Sequence, residues 1–263
     1  MEQILKTIIL GLIQGLTEWL PISSTGHLKL AEHLLNLKLP ILFDVILHIG
    51  TLLVVLTFFR EDVKKIVSAA KSLDFKTEYG KLVPLIIVGT IPTALMGLTF
   101  AEKVESTFSS PLPIAVAFIF CGAIIYSAKF GKEKTDNIGY STAFLIGLAQ
   151  GVATIPGISR SGATIATALL IGLKREKAFK FSFLLSIPAL AGAFGLTLYT
   201  QIEYLSAAGL GLAEICLGTA TAMVVGYLSL KLLWKALFKG KFHLFGFYCI
   251  LLGAALILGL NVL

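Results

Sequence analysis

Long apolar stretches separated by short polar segments constrain this chain more than any other feature. Six of them are uninterrupted and long enough to cross a bilayer, which takes about 20 helical residues. These six predicted spans are residues 41–59, 82–100, 112–129, 179–198, 208–230 and 244–262. The charged residues make up 14% of the chain, against about 25% in soluble domains. This composition excludes a soluble enzyme, a disulfide-stabilised secreted domain and a disordered chain, and it indicates a polytopic membrane protein.

Two further apolar regions, 4–37 and 138–173, are interrupted near their middle. The interruptions are proline followed by small polar residues, at Pro21–Gly26 and Pro156–Gly162. At 1.5 Å per residue, the shorter flanking pieces reach only to about the middle of a bilayer. Irregular backbone at that depth is tolerated where it is buried in protein or lines a wet cavity. We therefore predict two re-entrant helix–loop–helix hairpins, each of which enters and leaves on the same side.

The distribution of lysine and arginine favours these hairpins over single crossings. If both hairpins return to their starting side, one face of the membrane holds loops 60–81, 129–137, 174–180 and 231–243. Those loops carry most of the 22 basic residues, as the positive-inside rule expects of a cytoplasmic face. The first hairpin then opens to the outside and the second to the cytoplasm.

An internal repeat accounts for the two hairpins. Residues 10–15 (LGLIQG) match residues 146–151 (IGLAQG), and residues 22–26 (ISSTG) match residues 158–162 (ISRSG) at the same spacing. Three spans follow each hairpin, and because three is odd, the halves must have opposite orientations. Coincidental similarity of glycine-rich helices is the alternative.

The predicted fold is therefore all-α. It is a single integral membrane domain over residues 1–263, with six transmembrane helices plus two re-entrant hairpins arranged as an inverted-topology repeat. The repeats cover approximately residues 1–130 and 137–263. Inverted repeats generally place their binding site at the midplane, between broken helices.

The two breaks have a composition that suits an anion. Serine and threonine, which are good N-cap residues, precede the second half-helix of each hairpin. The free N–H groups and the positive dipole ends of these helices would therefore point at the centre of the membrane. Arg160 adds a planar charged fork that matches phosphate oxygens. A purely structural pair between Arg160 and Glu18 is the alternative.

The first break carries residues for chemistry as well as binding. Gln14 and Glu18 lie four residues apart on one helical face, where a divalent cation with oxygen ligands could bind. One carboxylate and one amide make a weak site, so the metal would arrive largely with the substrate. Ser24 and His27 could supply a nucleophile and a proton shuttle, or one could act alone. Packing between helices is the alternative for the small polar residues. His48 lies deep in its span and is a candidate for bordering the site.

These motifs resemble the signatures of the undecaprenyl-diphosphatase family, also known for bacitracin resistance. The first signature is similar to residues 14–27 (QGLTEWLPISSTGH) and the second to residues 156–164 (PGISRSGAT); residues 181–188 (FSFLLSIP) also fit. The match covers essentially the whole chain in the right order. Gln14 stands where some members carry glutamate, which leaves one anionic ligand fewer for a metal.

The resemblance implies an enzyme that hydrolyses a C55 isoprenoid diphosphate to its monophosphate in the bacterial plasma membrane, with help from Mg²⁺ or Ca²⁺. Its active site would contain Glu18, Ser24, His27, Ser159, Arg160 and Thr164. With the residues that flank them at the breaks, the expected catalytic set is Glu18, Ser24, His27 and Arg160. The expected phosphate-binding set is Ser23, Thr25, Gly157, Ser159, Arg160, Ser161 and Thr164, and the expected metal ligands are Gln14 and Glu18.

A competing interpretation is a secondary transporter or a polyprenyl-phosphate flippase, since opposed repeats and a midplane anion site are typical of transporters. The joint presence of glutamate, serine, histidine and arginine at the breaks favours the enzyme. The expected partners are the polyprenyl diphosphate and membrane lipids, and a homodimer is compatible with the sequence. No basic helix or RNA-binding signature points to nucleic acid. The cavity is expected to open to the extracytoplasmic side.

Overall fold

The chain forms a bundle of helices in the computed structural model, which describes residues 2–34, 41–207 and 211–260. Within these ranges the regular structure is helical, apart from one isolated bridge between Thr135 and Leu173. A short 3₁₀ turn, Ala128–Phe130, follows the sixth helix. The helices are α1 (Glu2–Trp19), α2 (Ser24–Leu34), α3 (Ile41–Phe58), α4 (Arg60–Lys71), α5 (Glu78–Thr107), α6 (Pro111–Ser127), α7 (Tyr140–Val152), α8 (Arg160–Ile171), α9 (Arg175–Ala207), α10 (Leu212–Phe238) and α11 (Leu244–Leu260).

Four of the six predicted spans are long and apolar enough to cross a membrane. They are Glu78–Thr107, Pro111–Phe130, Arg175–Thr200 and Ala213–Phe238, and the first and fourth extend well beyond the C-terminal ends of the runs that predicted them. The predicted spans 41–59 and 244–262 are represented by the shorter apolar stretches Ile46–Phe58 and Leu244–Gly259. Positions 208–210 and 261–262 of the predicted spans lie outside the described residues. The chain is therefore an all-helical membrane protein.

Both interrupted regions are helix–break–helix units, as predicted. In the first, α1 ends at Trp19 and α2 begins at Ser24; in the second, α7 ends at Val152 and α8 begins at Arg160. The same device begins each second helix. The Ser23 hydroxyl accepts a hydrogen bond from the Gly26 N–H at 3.4 Å. The Ser159 hydroxyl, 136 residues further along the chain, accepts one from the Gly162 N–H at 3.1 Å. Each serine thus satisfies one of the free N–H groups of a helix start.

The helices of the two halves pack in matching pairs. Helix α1 of the first half lies along α10 of the second, and the corresponding α7 of the second half lies along α5 of the first. Glycine makes these approaches possible: a Cβ on Gly11 would stand 2.4 Å from the Gly218 carbonyl oxygen, and one on Gly147 would stand 2.1 Å from that of Gly89. Any larger residue at either position would force the helices apart.

The equivalent helices α6 and α11 pack directly on each other. Gly122 of α6 lies against Gly246 near the start of α11, whereas Gly253 further along α11 lies against Ala115 near the start of α6. The two helices therefore run in opposite directions. Antiparallel contact between equivalent elements is what a two-fold axis in the membrane plane produces.

Candidate active site

A cavity of about 980 Å³ lies where the two hairpin breaks meet. Its polar end is lined from both breaks, and its walls include apolar side chains of α3, α5 and α9. It extends to Val104, Glu105 and Ser109, where α5 passes into α6. The polar residues of the two breaks that line it are Glu18, Ser23, Ser24, Thr25, Thr154, Ser159 and Arg160.

Glu18 stands at the centre of the polar end and binds groups from both hairpins. Its Oε1 accepts a hydrogen bond from Arg160 Nη2 at 2.7 Å, and its Oε2 accepts one from the Ser24 hydroxyl at 2.6 Å. The side chains of Glu18 and Arg160 are only 5% and 14% exposed. A buried carboxylate needs such compensation, because leaving water costs an isolated charge several kcal/mol.

The Arg160 guanidinium is held between the carboxylate and two aromatic rings. Its central carbon lies 5.1 Å from the ring centre of Trp19 and 6.0 Å from that of Phe183, at distances typical of cation–π contacts. Its Nη1 is buried and has no hydrogen-bond partner among the described residues. Arg160 therefore binds Glu18 through one nitrogen only, and has unused donor capacity beside the cavity.

Ser23 joins the two breaks. Besides capping α2, its hydroxyl accepts a hydrogen bond from the Gly157 N–H at 3.1 Å. Ser23 adopts a φ of 68°, a left-handed conformation that is uncommon outside glycine. Gly157 has a φ of 98°, and a Cβ there would lie 2.7 Å from the Cβ of Ala117. Only glycine fits at Gly157, and this close approach places α8 beside Glu18.

Ser161, Thr164 and Gly157, which the sequence assigned to phosphate binding, lie behind the cavity rather than in its lining. The Ser161 hydroxyl donates to the carbonyl oxygen of Trp19 at 3.1 Å. Thr164 donates to the carbonyl oxygen of Arg160 at 2.8 Å and contacts the hydroxyl of Ser182. The contacts of the Ser161 and Thr164 side chains hold the second break in place.

His27 does not line the cavity with Ser24. Its Nδ1 lies 2.7 Å from the Ser23 carbonyl oxygen, and its Nε2 lies 2.8 Å from the Tyr248 hydroxyl on α11. The His27 ring also stacks on Tyr248 and meets Phe118 edge-on. The structure thus brings together Glu18, Ser24 and Arg160, and directs His27 away from them. Its catalytic role stays a prediction.

His48 of α3 borders the site, as its position deep in an apolar span suggested, but its contact with Glu18 was not predicted. Its Nε2 lies 3.4 Å from Glu18 Oε2, and it lines the same cavity. It belongs to no signature, because it stands alone in the apolar run VILHIG. The cost of placing an imidazole deep in such a run is the signal that marked it as a candidate.

The site does not fit a metal ion that is bound by the protein alone. Both carboxylate oxygens of Glu18 already accept hydrogen bonds. One of the donors is Gln14, whose Nε2 donates to Glu18 Oε2 at 3.2 Å. Among the described residues, no group of three or more histidine, cysteine, aspartate or glutamate side chains could hold a metal ion. Mg²⁺ and Ca²⁺ require about six or more oxygen ligands. Gln14 Oε1, buried and unpartnered among the described atoms, would be a single amide oxygen.

This arrangement suits phosphoryl transfer. A serine hydroxyl already donates to a carboxylate that can take its proton. An arginine and the first turns of α2 and α8 supply positive potential beside it, where a phosphate would carry negative charge. Binding alone does not require an activated hydroxyl.

Comparison with known proteins shows full-length similarity to one family. Residues 7–255 match the family described as bacitracin resistance protein BacA. An undecaprenyl-diphosphatase of Korarchaeum cryptofilum is 40% identical over 266 residues, which is 97% of this chain and 98% of the relative. One of Carboxydothermus hydrogenoformans is 42% identical, with 96% and 95% covered. One of Desulfosudis oleivorans is 43% identical, with 95% and 96% covered.

Proposed function

The chain belongs to the bacitracin resistance protein BacA family, and from this premise we propose that it is a membrane-embedded undecaprenyl-diphosphatase. It hydrolyses undecaprenyl diphosphate to the monophosphate and inorganic phosphate, which recycles the lipid carrier of cell-wall polymers. The observation that carries this proposal is the contact of Ser24 and Arg160 with opposite oxygens of Glu18, inside a cavity lined by both hairpins.

In the proposed reaction, Ser24 Oγ attacks the terminal phosphorus of the diphosphate. The new Oγ–P bond forms as the bond between that phosphorus and the bridging oxygen breaks, and the electron pair leaves with the lipid monophosphate. Glu18 Oε2 takes the serine proton and passes it to the leaving monophosphate oxygen. Water then attacks the phosphorus of the phosphoserine, and the bond between phosphorus and Ser24 Oγ breaks with its electron pair left on Oγ. One water proton returns to Oγ, and the other leaves with inorganic phosphate.

Arg160 and the starts of α2 and α8 bind the phosphate oxygens in this proposal. Arg160 would turn part of its fork from Glu18 to the phosphate, which spreads the charge that develops in the transition state. Thr25 and the serine caps line the cavity at these helix starts. Ser161, Thr164 and Gly157 would support binding through the backbone that they hold.

A divalent cation belongs to this proposal as a companion of the diphosphate. Mg²⁺ commonly enters proteins with substrate phosphates and keeps several of its waters, and when bound it neutralises phosphate charge. We expect the protein alone to show no saturable Mg²⁺ binding by titration calorimetry, and chelator to stop phosphate release. Tight binding of Mg²⁺ to the substrate-free protein would contradict a cation that arrives with the substrate.

The proposed arrangement in the membrane has six spans and two re-entrant hairpins, related as inverted repeats. Two observations support it: α6 and α11 pack antiparallel on each other, and α1 packs on α10 as α7 packs on α5. The cavity reaches the connection of α5 and α6. That connection lies at the opposite ends of these helices from the basic loops 60–81 and 129–137, which supports an extracytoplasmic opening in the plasma membrane.

The polyprenyl tail would leave the cavity along its apolar walls. Many leucine, phenylalanine and tyrosine side chains are exposed on the outer faces of the helices, where lipid would cover them. A homodimer would bury part of the same surface. The mass of the protein particle in detergent shows whether it contains one chain or two.

Trapping of the phosphoenzyme tests the nucleophile. With radiolabelled undecaprenyl diphosphate and a rapid acid quench, we expect acid-stable phosphoserine at Ser24. In Ser24→Ala, phosphate release should fall by at least about 10³-fold, as removal of a nucleophile does elsewhere. Ser229→Ala, whose hydroxyl donates to the Val225 carbonyl oxygen within α10, is the matched control. Acid-labile phosphohistidine would instead move the role to His27, and near-normal turnover of Ser24→Ala would exclude Ser24.

A further inference from the structure

His48 lies at the polar end of the cavity although neither hairpin contains it. It comes from α3, which packs against α1, α9 and α10. Its side chain is 19% exposed and faces the cavity. The reaction proposed above gives it no part.

The contacts of Glu18 are divided between its two oxygens. Oε1 binds Arg160, whereas Oε2 is within reach of Ser24, Gln14 and His48, at 2.6, 3.2 and 3.4 Å. Arginine and a carboxylate prefer a bidentate arrangement, in which two nitrogens face two oxygens. Here the pair is monodentate, and Arg160 Nη1 has no hydrogen-bond partner among the described residues. Some contact must therefore keep Oε2 from turning toward Arg160.

Of the three groups near Oε2, only His48 can provide a fixed point from outside the reacting elements. Gln14 lies on α1 four residues before Glu18 and moves with it. Ser24 is the group that gives up its proton and changes its bonding during the proposed reaction. His48 is anchored in a separate helix with a buried apolar face, which includes Phe43, Leu47 and Val55.

We infer that His48 is a positioning residue: its Nε2 donates to Glu18 Oε2 and keeps that oxygen directed at Ser24. The inference rests on the proposed phosphatase function. Without this donor, Glu18 would turn to bind Arg160 with both oxygens. Ser24 would then lose its base, and Arg160 would lose the nitrogen that it offers to phosphate.

Three substitutions test this inference in the full-length protein in detergent. Leucine and methionine fill the space of His48 without a donor, and glutamine places an amide nitrogen near the position of Nε2. In His48→Leu and His48→Met, kcat should fall about 10- to 100-fold, the factor of a hydrogen bond to a charged group. KM should change by less than about threefold, because the interaction lost is one needed in the transition state. His48→Gln should recover most of the wild-type kcat.

His243→Ala, in the turn before α11, controls for the removal of a histidine and should match the wild type. Thermal unfolding of each variant shows whether a loss of kcat comes from a misplaced Glu18 or from a less stable fold. Wild-type kcat in His48→Leu would overturn the inference, as would a His48→Gln variant as impaired as the leucine variant. Failure of both donor-free variants to fold would also overturn it, since His48 would then be a stability residue. If the wild type itself releases no phosphate from undecaprenyl diphosphate, the proposed function fails instead.

Discussion

The two hairpins share a backbone design but carry opposite chemistry. Each begins its second helix with a serine cap, at Ser23 and at Ser159, 136 residues apart. At the same spacing, Glu18 of the first hairpin corresponds to Thr154 of the second, and the hydroxyl of Ser24 corresponds to the guanidinium of Arg160. One hairpin therefore supplies the acid and the hydroxyl, and the other supplies the cation.

This difference shows how two helix–break–helix units of similar design can make an asymmetric site. A symmetric pair of acids or of arginines where the two breaks meet would repel, and each buried charge would remain without compensation at a high cost. Division of the charges lets each hairpin neutralise the other, through the ion pair of Glu18 and Arg160 at 2.7 Å. The shared backbone design only brings the two helix starts together.

The largest expected effect comes from breaking the ion pair between the hairpins. Glu18→Gln leaves Arg160 buried and uncompensated, which should lower the free energy of unfolding by about 3–5 kcal/mol. The double variant Glu18→Gln/Arg160→Gln removes both charges and should recover much of that stability, although phosphate release stays lost. Thermal unfolding in detergent measures the stability and a phosphate-release assay the activity.

The exposed pair of Lys174 and Asp136 serves as its control. Both side chains are about half exposed, at 51% and 52%, so Lys174→Gln should leave unfolding nearly unchanged. If Glu18→Gln were no more destabilising than this control, the two hairpins would not depend on each other's charge.

A smaller effect is expected where each half packs its first helix. Gly147→Ala and Gly11→Ala each place a methyl group against a backbone carbonyl of the neighbouring helix, and each should cost about 1–3 kcal/mol by overpacking. Gly97→Ala is the control, because nothing among the described residues beyond its own helix lies within 4 Å of the added Cβ; it should be neutral or slightly stabilising. A loss in only one half, measured by thermal unfolding, would contradict equivalent packing.

The smallest effect should distinguish the two serine caps. Ser159→Ala removes one cap and should cost about 1 kcal/mol. Ser23→Ala should cost more, because it also leaves the buried Gly157 N–H without its acceptor. Ser229→Ala, which removes only a bond within α10, controls for the loss of a hydroxyl. Equal losses from the two caps would show that the bond between the breaks contributes nothing.

The sequence predicted the features that depend on local pattern. Proline and small polar residues located both breaks, and the helices restart at Ser24 and Arg160 within the predicted segments. The two breaks were expected to meet, and they do: Glu18 and Arg160 form an ion pair, the contact that the sequence analysis gave as the structural alternative to phosphate binding. Family membership and an all-helical membrane fold also followed from the sequence.

Features that depend on side-chain direction could not be predicted. His27 follows Ser24 by three residues, which suggested a shared face, but its ring is turned to Tyr248 by a partner 221 residues away. The contact of His48 with Glu18 joins α3 to α1, and no spacing in the sequence encodes it. The aromatic rings beside Arg160 belong to α1 and α9 and were likewise invisible to motif reasoning.

The structure of the protein with a methylene-bridged, non-hydrolysable polyprenyl diphosphonate tests the central claim most directly. We predict that the terminal phosphorus lies within about 3.5 Å of Ser24 Oγ, the distance of a near-attack arrangement, while Arg160 binds oxygens of the same phosphonate group. An analogue bound by one hairpin alone, or outside the cavity between the two breaks, would contradict the account.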